Sequence, residues 1–218
     1  MSAIYLSSAY LAPIEYYCKL LAYDHVYIEQ YDHYIKQTYR NRCVIAAPDG
    51  ALALTVPVVK PDTPTPKCLM RDIRISDHGN WRHLHWNALV SAYNHTPFFE
   101  YYMDDFRPFY EQKYTFLIDF NEALCRLVCE LMDISPKLSR TTAYKTTFTE
   151  GEEDWRDAIR PKQASAPKHP SAPEHTAPFI ARPYYQVFQE RLGFLPNLSI
   201  VDLLFNLGPE SPLMLTER

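Results

Sequence analysis

The sequence predicts an α/β protein whose small mixed, partly parallel sheet starts from a β-α-β unit and is flanked by helices. Three observations predict it. The apolar run "AIYLSSAYL" (3–11) suits a buried strand, "PIEYYCKLLAYD" (13–24) a helix, and "HVYIEQY" (25–31) a second strand, with about the dozen crossover residues that parallel neighbours need. The runs "CVIAA" (43–47) and "ALALTVPVV" (51–59) flank "PDG", which reads as a hairpin turn. Downstream, apolar residues recur at helical rather than strand spacing.

Each element has its own local signal. Pro13 is pre-organised for a helix start, and Ile14, Tyr17, Cys18 and Leu21 follow on one helical face. Residues 32–42 are polar and aromatic and lead into the hairpin as a loop or short helix. "KPDTPTPK" (60–67) breaks the chain with prolines, and "IRISD" (73–77) reads as one more strand. From 80 to 93 the spacing predicts a helix with Trp81, Leu84, His85, Ala88, Leu89 and Ala92 on one side. "TPFFEYYMDDFRPFY" (96–110) reads as a short helix. "YTFLIDFNEALCRLVCELMDI" (114–134) carries the strongest helical period, with Leu117, Phe120, Leu124, Leu127, Val128 and Leu131 on one face. Asn197 and Ser199 are placed to cap the apolar helix "IVDLLFNL" (200–207), which Gly208 and Pro209 then end.

Composition divides the chain into three. Residues 1–155 read as the α/β core and 156–182 as a Pro-rich flexible segment, because "RPKQASAPKHPSAPEHTAPF" has too few large apolar groups to build a core. Residues 183–218 return to ordered composition and are expected to pack back on the core. His169 and His175 in the middle segment read as solvated loop residues.

Bulk properties narrow the function. The chain of 218 residues is 47% hydrophobic, ordinary for a globular domain, and its net charge of −4 argues against nucleic acid as a partner. No apolar run approaches the roughly 20 residues of a membrane helix, and "MSAIYLSSAYLAP" lacks a secretory n-region. A reduced, cytoplasmic protein is expected. Five cysteines show no metal-ligand spacing; Cys125 and Cys129, four apart in a helical pattern, read as core thiols, and no metal site is expected. The 17 tyrosines suit half-buried clefts or simply core filling. With 5 glycines, there is no phosphate loop or dinucleotide fingerprint, nor any nucleophile elbow or zinc-protease helix. No cofactor is identified.

Three constellations could carry chemistry. In "QTYRNRC" (37–43), Arg40 and Arg42 would share a face if the stretch is extended, and two guanidinium forks can hold a phosphate or carboxylate, with Gln37 and Asn41 beside them. A solvated basic edge guarding a hairpin is the alternative. In "WRHLHWNALVSAYNH" (81–95), His83 and His85 diverge by about 200° on a helix, which suits one general base better than a shared metal. The competing reading packs His85 in the core and leaves His83 exposed. In the last apolar helix, Asp202 and Asn206 share a face, and a structural partnership of Asp202 with an arginine is the favoured reading.

The blocks "YLAPIEYYCKLLAYDHVYIEQYDHYIKQTYRNRCVI", "TVPVV", "WRHLHWNALVSAYNHTPFFEYY" and "GFLPNLSIVDLLFNLGPES" together resemble the WbqC-like protein family. They run in the family's order over about three quarters of the chain. Members often open with His-Gln ahead of "YLPW"; this chain has Ser7 and Ser8 there, and Ala12-Pro13-Ile14 in place of Pro-Trp, so a role resting on that histidine does not carry over. The "RNR" element (40–42) and "PNLSIVDLLFN" agree with the pattern. The family's name comes from bacterial surface-polysaccharide gene clusters, so the resemblance implies work near glycan or sugar-nucleotide biosynthesis.

These readings converge on a transferase-type enzyme acting on a phosphorylated or nucleotide-linked sugar; the alternative is a non-catalytic binding or assembly protein of the same pathway. The expected partner is an anionic small molecule. Its site is expected in the crevice at the strand carboxyl ends, where Ser7, Ser8, Tyr10, Arg40, Asn41 and Arg42 would gather. Asn197 and Asp202 are the further candidate ligand-binding residues, and His83 or His85 the candidate base.

Overall fold

The computed structural model describes residues 1–59, 68–161 and 179–216. The β-α-β unit is present: β1 (Ala3–Ser7), α1 (Ile14–Ala22) and β2 (His25–Glu29), with β1 and β2 parallel and Ala3 level with His25. Two short strands extend it, β5 (Leu138–Arg140) beside β2 and β6 (Glu152–Asp154) beside β1. The four-stranded sheet has the order β5-β2-β1-β6 and is parallel throughout. The hairpin stands apart as a second, antiparallel sheet of β3 (Arg42–Ala47) and β4 (Gly50–Thr55). Ala47 pairs with Gly50, so Pro48 and Asp49 form a two-residue turn.

Strand alternation sorts the side chains. Ile4 and Leu6 of β1 and Val26 and Ile28 of β2 are buried in the core shared with Tyr17 and Leu20 of α1. The opposite face is covered too: Tyr5 stacks on Tyr27 at 4.8 Å, Tyr27 on His25 at 4.7 Å, and the Lys145 ammonium lies over the Tyr5 ring.

The helices α2 (Trp81–Tyr93), α3 (Phe99–Glu111) and α4 (Leu117–Leu131) fill out the core. Three details differ from the sequence reading. Leu84 is 60% exposed, because α2 turns only Trp81, His85, Leu89, Ala92 and Tyr93 inward. The segment read as a short helix makes the 13 residues of α3 despite Pro108. "IRISD" forms no strand; Arg74 and Ile75 make only isolated bridges, to Phe116 and Val58. Residues 60–67, and the Pro-rich stretch from 162 to 178 with His169 and His175, lie outside the described residues.

After α5 (Gln189–Leu192), the final helix α6 (Ile200–Leu207) is apolar almost all round, as a helix wholly inside a protein should be. Phe205 meets Tyr93, Phe99 and Phe106 edge-on at 5.0–5.3 Å. Gly208, at φ 53°, ends the helix as read from the sequence. The entry to α6 ties it to the hairpin and to the β1–α1 loop: the Ser199 amide donates to Val44 of β3, and the Ser199 hydroxyl and the Ile200 amide donate to the carbonyls of Leu11 and Ala12.

Candidate functional site

The strand order reverses at β1. The chain leaves β1 through α1 to β2 on one side, while β6 returns on the other. In open α/β sheets ligands bind at the carboxyl ends of strands at such a reversal. A crevice lies there, lined by Ser7 and Ser8 at the end of β1, by Thr38, Tyr39 and Arg40, and by Trp155, Arg156, Asp157 and Arg160 after β6. It is shallow and open to solvent, with only about 20 Å³ enclosed, room for one water-sized group.

Its charges are arranged in two linked clusters. Arg40, buried at 3% exposure, donates from Nη2 to Asp32 Oδ2 at 2.5 Å and to Ser7 Oγ at 2.7 Å, and lies 3.5 Å from Asp157. Arg160 reaches the same Asp157 oxygen at 3.0 Å. Arg156 forks onto both oxygens of Asp154 at 2.8 and 2.6 Å and reaches Glu29 at 3.1 Å. Glu29, fully buried, also accepts from Thr141 Oγ1 at 2.7 Å and from the Tyr31 amide at 2.9 Å. The Ser7 hydroxyl donates to the Arg156 carbonyl and joins the two clusters. Four carboxylates thus meet three guanidinium groups, so each arginine is already matched. Burial raises the Asp32 carboxyl above its ordinary pKa even though Arg40 pulls it down. Its Oδ1 has no partner among the described residues.

The structure separates several of the residues that the sequence grouped. Ser7, Ser8 and Arg40 line the crevice. Arg42 does not join Arg40: it lies in β3 and donates across the hairpin to Thr55 Oγ1 at 3.1 Å, whereas Arg40 precedes the strand and turns inward. Asn41 is spent on the Val56 carbonyl at 2.8 Å, and Gln37 is exposed at φ 62°. Tyr10 points into the core, joined to His85 Nδ1 at 3.0 Å and Tyr110 Oη at 2.8 Å. Burial depresses His85 to a pKa of about 4, while His83 sits exposed beside Asn87 at 2.9 Å. Neither histidine is among the groups lining the crevice. Asp202 takes Tyr93, Tyr184 and Gln186 rather than an arginine, at 2.9, 2.5 and 3.1 Å. Asn197 does not cap α6; it serves α1, accepting the Glu15 amide at 3.0 Å. Ser199 occupies the α6 N-cap position without a side-chain capping bond.

A family model described as the WbqC-like protein family matches residues 8–170. The chain belongs to the WbqC-like protein family. A relative in Mycobacterium tuberculosis, the "Uncharacterized protein Rv1507c", is 29% identical over 213 residues, covering 90% of each chain. No solved structure matches.

The span matched to the WbqC-like family takes in most of the crevice, including Ser8, Arg40, Arg156, Asp157 and Arg160, and ends before α6. Sequence reasoning missed Glu29, Asp32, Asp154, Arg156, Asp157 and Arg160. The strand that positions four of these, β6, reads "EED" and has no apolar alternation to announce it. The available signal was the run "DWRDAIR" (154–160), whose acids and arginines alternate too regularly for a proline-rich connector. Among the described residues no group of histidines, cysteines and carboxylates could hold a metal ion, and no helix is long and apolar enough to cross a membrane.

Proposed function

We propose that this WbqC-like protein is a transferase-type enzyme acting on a phosphorylated or nucleotide-linked sugar, with the phosphate end seated in the crevice between β1 and β6. One observation carries the reading. The Asp157 carboxylate lies between Arg40 and Arg160, at 3.5 and 3.0 Å, so two guanidinium groups already hold an oxyanion there. The Asp157–Arg40 contact is the longest in the network, and both Asp157 and Arg160 are partly exposed. An incoming phosphate has more charge and more acceptor oxygens than a carboxylate, and would displace Asp157 from its partners. The freed carboxylate would then stand beside the ligand as the group to accept a proton from an attacking hydroxyl. The crevice is small, so the sugar or nucleoside would extend outward from it.

Calorimetry with a nucleoside diphosphate sugar, on the parent chain and on two variants, tests this. Arg160→Ala should weaken binding by about 1.5–3 kcal/mol, the worth of a charge-assisted hydrogen bond. Asp157→Asn should tighten it, because the competing carboxylate is gone. Absence of binding by both the parent and Asp157→Asn would sink the proposal.

A further inference from the structure

A second crevice lies on the other side of the β1–α1 loop, between the carboxyl ends of β2 and β5 and the start of α4. It shares Ser8, Ala9 and Tyr16 with the first and is likewise open to solvent, with about 20 Å³ enclosed, room for one water-sized donor group. Its walls are largely apolar, built from Ala9, Ala12, Ile28, Leu138, the Tyr17 ring and Cys125. Arg140 lines it as well, but is paired with Asp119 and Glu122 at 2.8 and 2.5 Å.

Asn121 lines this crevice, is 2% exposed, and is only half satisfied. Its Nδ2 donates to Ser8 Oγ at 2.9 Å and to the Arg40 carbonyl at 2.8 Å, so both N–H groups are spent. Its Oδ1 is buried and has no hydrogen-bond partner among the described residues. Turning the amide over would not help, since it would press Oδ1 against the Arg40 carbonyl oxygen. An acceptor left bare in an apolar wall costs free energy unless a donor arrives from outside.

We infer that this second crevice binds a small neutral molecule with a short aliphatic body and one N–H or O–H donor, the chemistry of an aliphatic amide or alcohol. The donor completes Asn121 Oδ1, and the hydrocarbon part covers Ile28, Leu138 and Cys125. An anion would set acceptor against acceptor, and a cation would find the one carboxylate lining the crevice, Glu122, already taken by Arg126 and Arg140. The site rests on Asn121 and its surroundings and is independent of phosphate binding at Asp157.

The test titrates the full chain, 15N-labelled, with propionamide, 1-propanol and butanone, following the Asn121 side-chain amide signals. Butanone has the shape of propionamide with the donor replaced by a methyl group. Saturable shifts with propionamide or 1-propanol, at least tenfold tighter than with butanone, are expected. Cys125→Leu narrows the crevice while keeping the Asn121 amide, and should abolish those shifts while the chain stays folded by its melting temperature. Asn121→Ala removes that reporter, so there the backbone amide signals of Ile28 and Leu138 are followed and should no longer shift; if that chain fails to fold, the Leu variant decides. No saturable shift with any probe, equal binding of butanone, or unchanged binding in Cys125→Leu would each overturn the site.

Discussion

Asn197 and Glu15, 182 residues apart in sequence, hold each other through two hydrogen bonds. The asparagine carbonyl accepts the Glu15 amide at 3.0 Å and its Nδ2 donates to the Glu15 carboxylate at 3.1 Å. Pro13, the residue at the N-cap position of α1, offers no side-chain capping bond. Asn197 supplies it from the far end of the chain.

Removing that remote cap should therefore read as loss of a local one. Asn197→Ala is expected to cost about 0.5–2 kcal/mol, the range for N-cap deletions. Urea unfolding measures it. A change below about 0.3 kcal/mol would mean that the bond does no capping.

Acid should weaken the fold through His85. Its folded pKa of about 4 lies below the ordinary 6.5 because burial disfavours the charged ring. Between those values the unfolded chain binds the proton and the folded chain does not, so stability is complete above pH 6.5 and falls as pH drops towards 4. The full loss is about 2–4 kcal/mol at 1.36 kcal/mol per unit. His85→Gln should flatten the decline between pH 6.5 and 4 in denaturant titrations, whatever it does to stability at pH 7.5.

Arg40 and Arg42 should differ sharply when truncated. Arg40→Ala strands the Asp32 carboxylate, which is 8% exposed, and should cost about 3–5 kcal/mol. Arg42→Ala removes a half-exposed contact to Thr55 and should stay within about 0.5 kcal/mol of the parent. Equal costs would show that Arg40 is not the keystone of its cluster.

Gly208→Ala should be costly for two separate reasons. Its φ of 53° is strained for any side chain, and an added Cβ would lie 2.5–2.7 Å from the Phe98 ring. Strain and overpacking together suggest about 2–4 kcal/mol, which thermal unfolding would register as a clear fall in Tm.

The parts of the fold that were legible in the sequence were those with a strong local period. β1, α1 and β2 announce their alternation, crossover length and proline start, and the hairpin announces its turn. What stayed hidden was what tertiary contacts impose. β6 is made of Glu152, Glu153 and Asp154 and is a strand only because β1 offers an edge for it to pair with. Leu84 follows the helical period yet faces solvent, because the inward arc of α2 centres on His85 and Leu89. At the site, Ser7, Ser8 and Arg40 could be named from their place beside strand ends. Their acidic counterparts could not, since Asp32 and Asp157 reach Arg40 from 8 and 117 residues away. Spacing rules that work along one element do not reach that far.

The attachment of β6 to the first strand, and of Ser199 to the loop after it, has a consequence for how the chain matures on the ribosome. β1 is synthesised first, but its outer edge stays unpaired until Glu152 to Asp154 emerge, and the loop after it is not pinned until Ser199 reaches Leu11. Such long-range closures slow folding and leave a strand edge open to wrong partners meanwhile. A nascent chain stalled before residue 152 would present that bare edge, and chaperone occupancy should persist until Glu152 to Asp154 have cleared the exit tunnel. The crevice beside Asp157 therefore cannot exist before β6 has paired with β1, whatever has folded earlier.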